Sequence, residues 1–232
     1  MLNSLRKDLK KLSNKKKASI MQRFFKTGEG EYGFGDVFVG ISVPQSRELA
    51  IKYKDITFID VSNLLESKVH EERLIALLIL VHKFQTEPLE QRRIYDFYIK
   101  NTKHINNWDL VDLSSDKIIG GYLIDKPKDI LLKFAKSNNL WERRIAMIST
   151  YNFIKNNHFK EALKIAEVLV GDKNDLIQKA VGWMIREVGK RNKDAEIKFL
   201  NKYYKKMGRT ALRYSIEKFP EVLRKKYLLG KA

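Results

Sequence analysis

Apolar residues recur at three- and four-residue spacing along most of the chain, which is the pattern of amphipathic helices. The glycine-rich segment Lys26–Pro44 (KTGEGEYGFGDVFVGISVP) interrupts this pattern and predicts an irregular connection. Ser42 is a candidate cap for the next helix, because Pro44 suits a first helical turn. The longest apolar run, Leu74–Val81, fits a buried helix, and no series of alternating strands is present. These features predict an all-α protein of about twelve helices.

A weak internal repeat organises the predicted helices. The segment Glu72–Ala76 (ERLIA) aligns with Glu142–Ala146 (ERRIA) at an offset of 70 residues. Steps of half that offset lead from Arg73 through Trp108 and Arg143 to Gln178, each near the start of a predicted helix. Helix pairs that recur about every 35 residues are typical of an α-solenoid. The sequence therefore predicts a superhelix, with one helix of each pair lining its concave side.

The overall composition predicts a globular protein rather than a disordered one. Hydrophobic residues make up 44% of the 232 residues and charged residues 32%. The absence of cysteine excludes disulfides and cysteine metal sites. The first residues contain no apolar run typical of a signal peptide, and no stretch approaches the roughly 18 apolar residues of a membrane span. We expect a cytoplasmic monomer that does not enter a membrane and forms one domain over residues 1–232.

The net charge of +18 lies entirely at the two ends of the chain. Residues 1–26 carry nine basic and one acidic residue, and residues 186–232 carry fifteen basic and five acidic residues. The middle balances at 22 of each sign. Two basic ends that flank a neutral middle indicate a polyanionic partner, above all nucleic acid. The alternative is that these lysines and arginines only form solvated helix faces.

The stretch INNWDLVDLSS is unusual in so basic a chain because it combines a tryptophan with two aspartates. Trp108 and Asp112 are four residues apart and share one helix face. Asp109 lies in the first turn, where an acid favours the helix dipole. For Asp112, the alternatives are a catalytic carboxylate, a solvated helix acid, or a partner of Arg143 or Arg144. Trp108, taken alone, is a candidate core residue.

Three motifs in order, NWDLVD, LWERR and IQKAVGWMIRE, resemble those of the AlkD-like family of bacterial DNA alkylation repair proteins. The basic N-terminal helix and the segment FVGISVPQSREL extend this resemblance over nearly the whole chain. The family consists of DNA glycosylases built from HEAT-like helical repeats. The resemblance implies that Trp108, Asp112 and Arg144 form the catalytic group and that Trp183 borders the DNA groove. It also implies action on DNA with N3- or N7-alkylated purines, without a metal or a cofactor.

The chemistry of such a lesion agrees with these residue types. An N3- or N7-alkylated purine is cationic and already a good leaving group, so little acid catalysis is needed. A carboxylate can stabilise the positive charge that builds on the deoxyribose C1′ and can position a water, which is the role we assign to Asp112. The π faces of Trp108 and Trp183 attract cationic groups. Arg144 can hold a backbone phosphate.

The sequence thus predicts an enzyme that hydrolyses the N-glycosidic bond of alkylated purines in double-stranded DNA. One alternative is a non-catalytic binder of branched or distorted DNA, and another is a protein-scaffolding solenoid. The four histidines form no metal-ligand pair of the HxxxH type. Whether Arg143 or Arg144 faces the groove stays open, and the alignment around Tyr32 is loose. The further candidates for DNA contact are Trp183, Tyr32, Arg143, Lys179, Arg186, Lys190 and Arg191.

Overall fold

The computed structural model describes all 232 residues, and every regular element in it is a helix. Fourteen α-helices have seven or more residues, somewhat more than the predicted twelve. Helices as short as seven residues have too few apolar positions for their periodicity to be recognised. The extended backbone contributes only an isolated bridge between Val37 and Val69. The predicted all-α fold of helical repeats is confirmed, and none of the helices combines the length and hydrophobicity of a membrane span.

The chain forms two compact units, residues 1–114 and 115–232. In the first unit, α5 is the central helix and packs against α3, α4 and α6. All residues of Leu74–Val81 within α5 are buried, as the apolar run predicted. The helices up to the boundary are α1 (Leu2–Leu12), α2 (Lys15–Phe24), α3 (Val43–Lys52), α4 (Phe58–Leu65), α5 (His70–Thr86), α6 (Gln91–Lys100) and α7 (Trp108–Ser115).

In the second unit, helices pack against others that are close in the chain, as in repeat proteins. It opens with a π-helical segment, Asp116–Gly120, which continues directly from α7. Within the unit, α10 packs against α9, α11 and α12, and α12 packs against α13 and α14. The helices are α8 (Gly121–Leu123), α9 (Asp129–Ala135), α10 (Leu140–Lys155), α11 (Lys160–Leu169), α12 (Asp175–Gly189), α13 (Lys193–Tyr203), α14 (Arg209–Ser215) and α15 (Glu221–Leu228).

The internal repeat is visible in the hydrogen bonds at the helix starts. Arg73, Arg143 and Gln178 are each the fourth residue of their helices α5, α10 and α12. Each side chain donates a hydrogen bond to the backbone carbonyl six residues earlier, at 2.8, 3.0 and 3.1 Å. Trp108 does not share this position, because it is the first residue of α7. The 35-residue step therefore leads to the start of a helix in all four cases, as predicted, but it meets α7 three residues earlier in the helix than it meets the other three.

The glycine-rich segment is an irregular connection between α2 and α3, as predicted. Gly40 has a φ of +85°, and a Cβ there would lie 2.2 Å from the carbonyl oxygen of Asn14. Only glycine allows this approach of the connection to the start of α2. The predicted cap is also confirmed, because Ser42 and Gln45 form a capping box at the start of α3. The last residues of the connection are thereby held both against the start of α2 and at the start of α3.

Candidate active site

The helix α7 presents its first turn through local hydrogen bonds. The side-chain oxygen of Asn107 accepts from the backbone N–H of Trp108 at 2.8 Å, which satisfies a donor at the helix start. Trp108 and Asp112 lie one turn apart and are both half-buried, whereas Leu110 and Val111 are fully buried. The helix thus turns its apolar face into the first unit and carries the indole and the carboxylate on another face.

An aromatic cluster from the end of α2 and the glycine-rich connection supports the indole of Trp108. The ring of Phe25 stacks on it with centroids 5.1 Å apart and planes 9° apart, and Phe38 stacks behind Phe25 at 4.8 Å. Phe24 meets the indole edge-on at 6.0 Å and remains 64% exposed. One face of the indole is therefore covered by buried aromatic rings. Only its opposite face and its edges can meet a ligand.

A buried network of charged side chains lies beneath the first turn of α7. The Nε2 atom of His70 is 2.8 Å from Oδ2 of Asp109, and its Nδ1 atom is 3.1 Å from Oδ2 of Asp36. Arg73 approaches the same Asp36 oxygen at 2.6 Å with its Nη2 atom. All four residues are buried. The network links the glycine-rich connection, the start of α5 and the start of α7.

The pKa shifts within this network favour its charged form. Burial lowers the pKa of His70, but Asp109 and Asp36 outweigh that effect, and the pKa is raised above its ordinary value. Burial raises the pKa of Asp36, but the hydrogen bond from His70 and the charge of Arg73 outweigh it, and this pKa is lowered. A protonated imidazole bridging two carboxylates, with Arg73 beside them, gives two charges of each sign. Such mutual compensation allows charges to be buried.

The sequence did not reveal the role of this network. Asp109 lies in the first turn of α7, as expected, but it is buried against His70 and is not merely an acid near a helix end. The residues that meet in the network are 34 and 39 positions apart. The only signal was the group of charged residues with His70 at the start of α5, directly before the apolar run Leu74–Val81.

In the second unit, the two candidate arginines of α10 are held by different partners. Arg144 is buried, and its guanidinium donates to the backbone carbonyl of Leu176 at the start of α12. Arg143 bonds through Nε to Asp172 at 2.8 Å and through Nη1 to two backbone carbonyls at 3.0 Å. Arg143 thus has an established structural role between α10 and the turn before α12.

The candidate DNA-contacting cations of α12 and of the two residues that follow it all form ion pairs within the second unit. The pair of Lys179 with Asp175 is exposed, and such a pair contributes only about 0–1 kcal/mol, so a phosphate group could replace that carboxylate. Trp183 on the same helix is half-buried and lies 5.8 Å from the ring of Tyr151. In the first unit, Tyr32 is half-buried in the glycine-rich connection. The ion pairs are Lys179 with Asp175 at 2.7 Å, Arg186 with Glu217, and both Lys190 and Arg191, just after α12, with Glu187.

The π-helical segment that follows α7 holds another buried acid. Asp116 accepts from Lys117 at 2.8 Å and from Lys155 of α10 at 3.0 Å. Gly120 lets the segment approach α10, because a Cβ there would lie 2.2 Å from the carbonyl oxygen of Ser149. Such π-helical turns occur frequently at functional sites. No group of three or more His, Cys, Asp or Glu side chains is placed to hold a metal ion.

Comparison with known proteins adds a family and two related structures. Residues 5–219 match the family model described as "DNA alkylation repair enzyme". The fold is similar to that of a "Predicted DNA alkylation repair enzyme from Enterococcus faecalis", with a TM-score of 0.69, 17% identity, and 90% of this chain and 97% of that one covered. It is also similar to AlkD2 from Streptococcus mutans, with a TM-score of 0.57, 19% identity, and coverages of 89% and 99%. No curated protein matches the sequence.

Proposed function

We propose that this chain, which belongs to the family of DNA alkylation repair enzymes, is a DNA glycosylase that releases N3- or N7-alkylated purines from duplex DNA. One observation carries the proposal. Trp108 and Asp112 share a face of α7, and the first turn of this helix is held by the buried pair of His70 and Asp109. A carboxylate and a supported indole, side by side in a strongly basic protein, suit a cationic sugar and base.

In the proposed reaction, the bond between C1′ and the purine nitrogen breaks, and its electron pair neutralises the positive charge of the alkylated purine. The oxygen of a water molecule bonds to C1′ and releases a proton, which leaves an abasic site and the free base. The Asp112 carboxylate stabilises the positive charge on C1′, accepts a hydrogen bond from the water and takes up its proton. The exposed face of Trp108 packs against the sugar and attracts its positive charge.

Residues of the second unit contribute DNA contacts in this proposal. Arg144 completes the catalytic group by holding a backbone phosphate, and Trp183 borders the DNA. The cations of α12 and of the two residues after it, together with Arg143 and with Tyr32 of the first unit, contact the backbone when phosphates displace their present partners. The proposed enzyme is a cytoplasmic monomer that works as one domain over residues 1–232 and uses no cofactor.

The test of this proposal is the release of 7-methylguanine and 3-methyladenine from methylated duplex DNA. We expect release by the wild-type protein and a decrease of about 10²- to 10³-fold for Asp112→Asn, since the variant loses its stabilising charge. Asp55→Asn is the matched control, because Asp55 is an exposed acid of the first unit outside α7. Equal rates for wild type and Asp112→Asn would show that the catalytic assignment is wrong.

A second candidate function is non-catalytic binding of branched or distorted DNA. The observation that favours it is the exposure of two phenylalanines, Phe24 at 64% and Phe34 at 66%. Apolar side chains of this kind act as wedges between unstacked bases in proteins that bind bent DNA. Tighter binding to a four-way junction than to a linear duplex, without base release by the wild type, would support this alternative.

A further inference from the structure

A cavity of about 210 Å³ in the first unit has no part in the proposed reaction. Its walls come from the glycine-rich connection, the turn between α4 and α5, and the turn before α7. The basic side chains that line it are Lys68, Arg73 and Lys103, and His104 joins them. The cavity therefore collects basic side chains from the turn between α4 and α5, from α5 itself and from the turn before α7.

Arg73 provides the main indication that a ligand belongs in this cavity. Its side chain is buried, with Nη1 bonded to the Ser67 carbonyl and Nη2 paired with Asp36. Its Nε atom is also buried but has no hydrogen-bond partner. A buried donor without an acceptor costs about 1–3 kcal/mol. Arg73 is one of the residues that line the cavity, so an acceptor bound there that reaches Nε would remove this cost.

The internal repeat shows what kind of acceptor fits this arginine. Arg143 occupies the same position in α10 as Arg73 does in α5, and it makes the same bond to a carbonyl six residues earlier. Its Nε atom donates to the carboxylate of Asp172 at 2.8 Å. The first unit offers Nε of Arg73 no such carboxylate. An oxyanion is therefore the chemical group that would accept from Nε of Arg73 as the Asp172 carboxylate accepts from Nε of Arg143.

The charges around the cavity also favour an anion. Two acids line it, but the buried carboxylate of Asp36 is already neutralised by Arg73 and His70, and Glu66 is exposed. Lys68 and Lys103 are both exposed, so their ammonium groups are free to turn toward a ligand at the mouth. Burial and the neighbouring charge of Lys103 lower the pKa of His104, which leaves a neutral imidazole beside the ligand at neutral pH.

We propose that this cavity binds a phosphate group, held by Nε of Arg73 and by the ammonium groups of Lys68 and Lys103. The phosphate can be free in solution or belong to a DNA backbone, and the latter source rests on the proposed function. Charge-assisted hydrogen bonds from arginine and lysine are the usual means of holding phosphate. The rival explanation is that only water occupies the cavity and accepts from Arg73.

The test uses the double variant Lys68→Gln/Lys103→Gln in the full chain. Arg73 is left intact, because its removal would also break its buried ion pair with Asp36. The matched control is Lys54→Gln/Lys100→Gln, which removes two exposed lysines of the first unit that lie outside the cavity. Titration calorimetry measures binding of inorganic phosphate, with chloride at equal ionic strength as the reference. We expect the cavity variant to lose at least about tenfold in affinity and the control to resemble the wild type.

The second measurement follows binding to a short unmodified duplex as a function of salt. The slope of the logarithm of the binding constant against the logarithm of the salt concentration is negative. If a DNA phosphate occupies the cavity, the magnitude of this slope decreases by about 0.9 more in the cavity variant than in the control. If the cavity variant, unlike the control, loses affinity for inorganic phosphate but keeps its salt slope, the natural ligand is a free phosphate. If it changes only the salt slope, the ligand is a DNA phosphate. No selective effect in either measurement overturns the proposal in favour of water. Neither measurement depends on base release, so failure of the glycosylase assignment would be seen separately.

Discussion

His70 and Asp109 are joined by a buried contact of 2.8 Å between Nε2 and Oδ2, which ties the start of α5 to the first turn of α7. The imidazole cannot rotate away, because its other nitrogen is held by Asp36. Asp112 lies three residues beyond Asp109 on the same helix. The position of its carboxylate is therefore coupled to a pair of side chains that never meets the substrate in our proposal.

The first prediction concerns removal of the imidazole. We expect His70→Gln to lower the free energy of unfolding by about 3–5 kcal/mol, because it leaves Asp36 and Asp109 buried without their shared cation. Urea denaturation measures this change, and base release should also decrease as α7 loses its anchor. His82→Gln serves as the control, since His82 is a half-buried residue of α5 outside the network. Similar effects of the two substitutions would contradict a special role for His70.

The second prediction is that the difference in stability between the wild type and His70→Gln depends on pH. The pKa of His70 is raised in the folded protein, so its contribution is fully present below the unfolded value of about 6.5 and is lost as the pH rises through the folded pKa. The pKa of Asp36 is lowered, so its contribution is present above 3.8 and is lost as the pH falls through its folded pKa. The difference in the free energy of unfolding between wild type and His70→Gln should therefore be largest between about pH 3.8 and pH 6.5. Urea titrations across the pH range would refute this if the difference were constant.

The third prediction concerns the support of Trp108. Phe25→Leu keeps an apolar side chain but removes the stacked ring, whose interaction with the indole is worth about 0.5–1.5 kcal/mol beyond burial. We expect a modest loss of stability and a clear decrease in the rate of base release. Phe84→Leu is the matched control, because Phe84 is equally buried in α5 but is not part of the aromatic cluster. If both variants release base at the same rate, the stack does not position Trp108.

The fourth prediction concerns the packing of α12 on α14. A Cβ at Gly182 would lie 2.5 Å from the carbonyl oxygen of Ala211 and from the Cβ of Tyr214, so the two helices can approach only because this residue is glycine. Gly182→Ala should lower the free energy of unfolding by about 1–3 kcal/mol, measured by thermal unfolding. Gly171→Ala should be neutral or stabilising by up to about 1 kcal/mol, because open space surrounds that position. A neutral Gly182→Ala would show that α12 and α14 can separate without cost.

Much of the fold is determined by local features of the sequence. The periodic apolar positions predict the helices, the run Leu74–Val81 predicts the buried α5, and Ser42 with Pro44 predicts the start of α3. The repeat of 70 and 35 residues is confirmed by equivalent side-chain bonds of Arg73, Arg143 and Gln178. These features depend on residues only a few positions apart, because helical periodicity and capping act within one or two turns. The placement of Trp108 and Asp112 on one helix face is likewise local, because it follows from their spacing of four residues.

The surroundings of those two residues were decided only by tertiary structure. Neither the stack of Phe25 on Trp108 nor the contact of His70 with Asp109 follows from spacing, since the partners are far apart in the chain. Two arginines at equivalent repeat positions also differ in their partners, because the carboxylate that meets Nε of Arg143 has no counterpart at Nε of Arg73. Burial makes the difference: a charged group must find a partner inside the fold, and which partner it finds depends on how the helices pack.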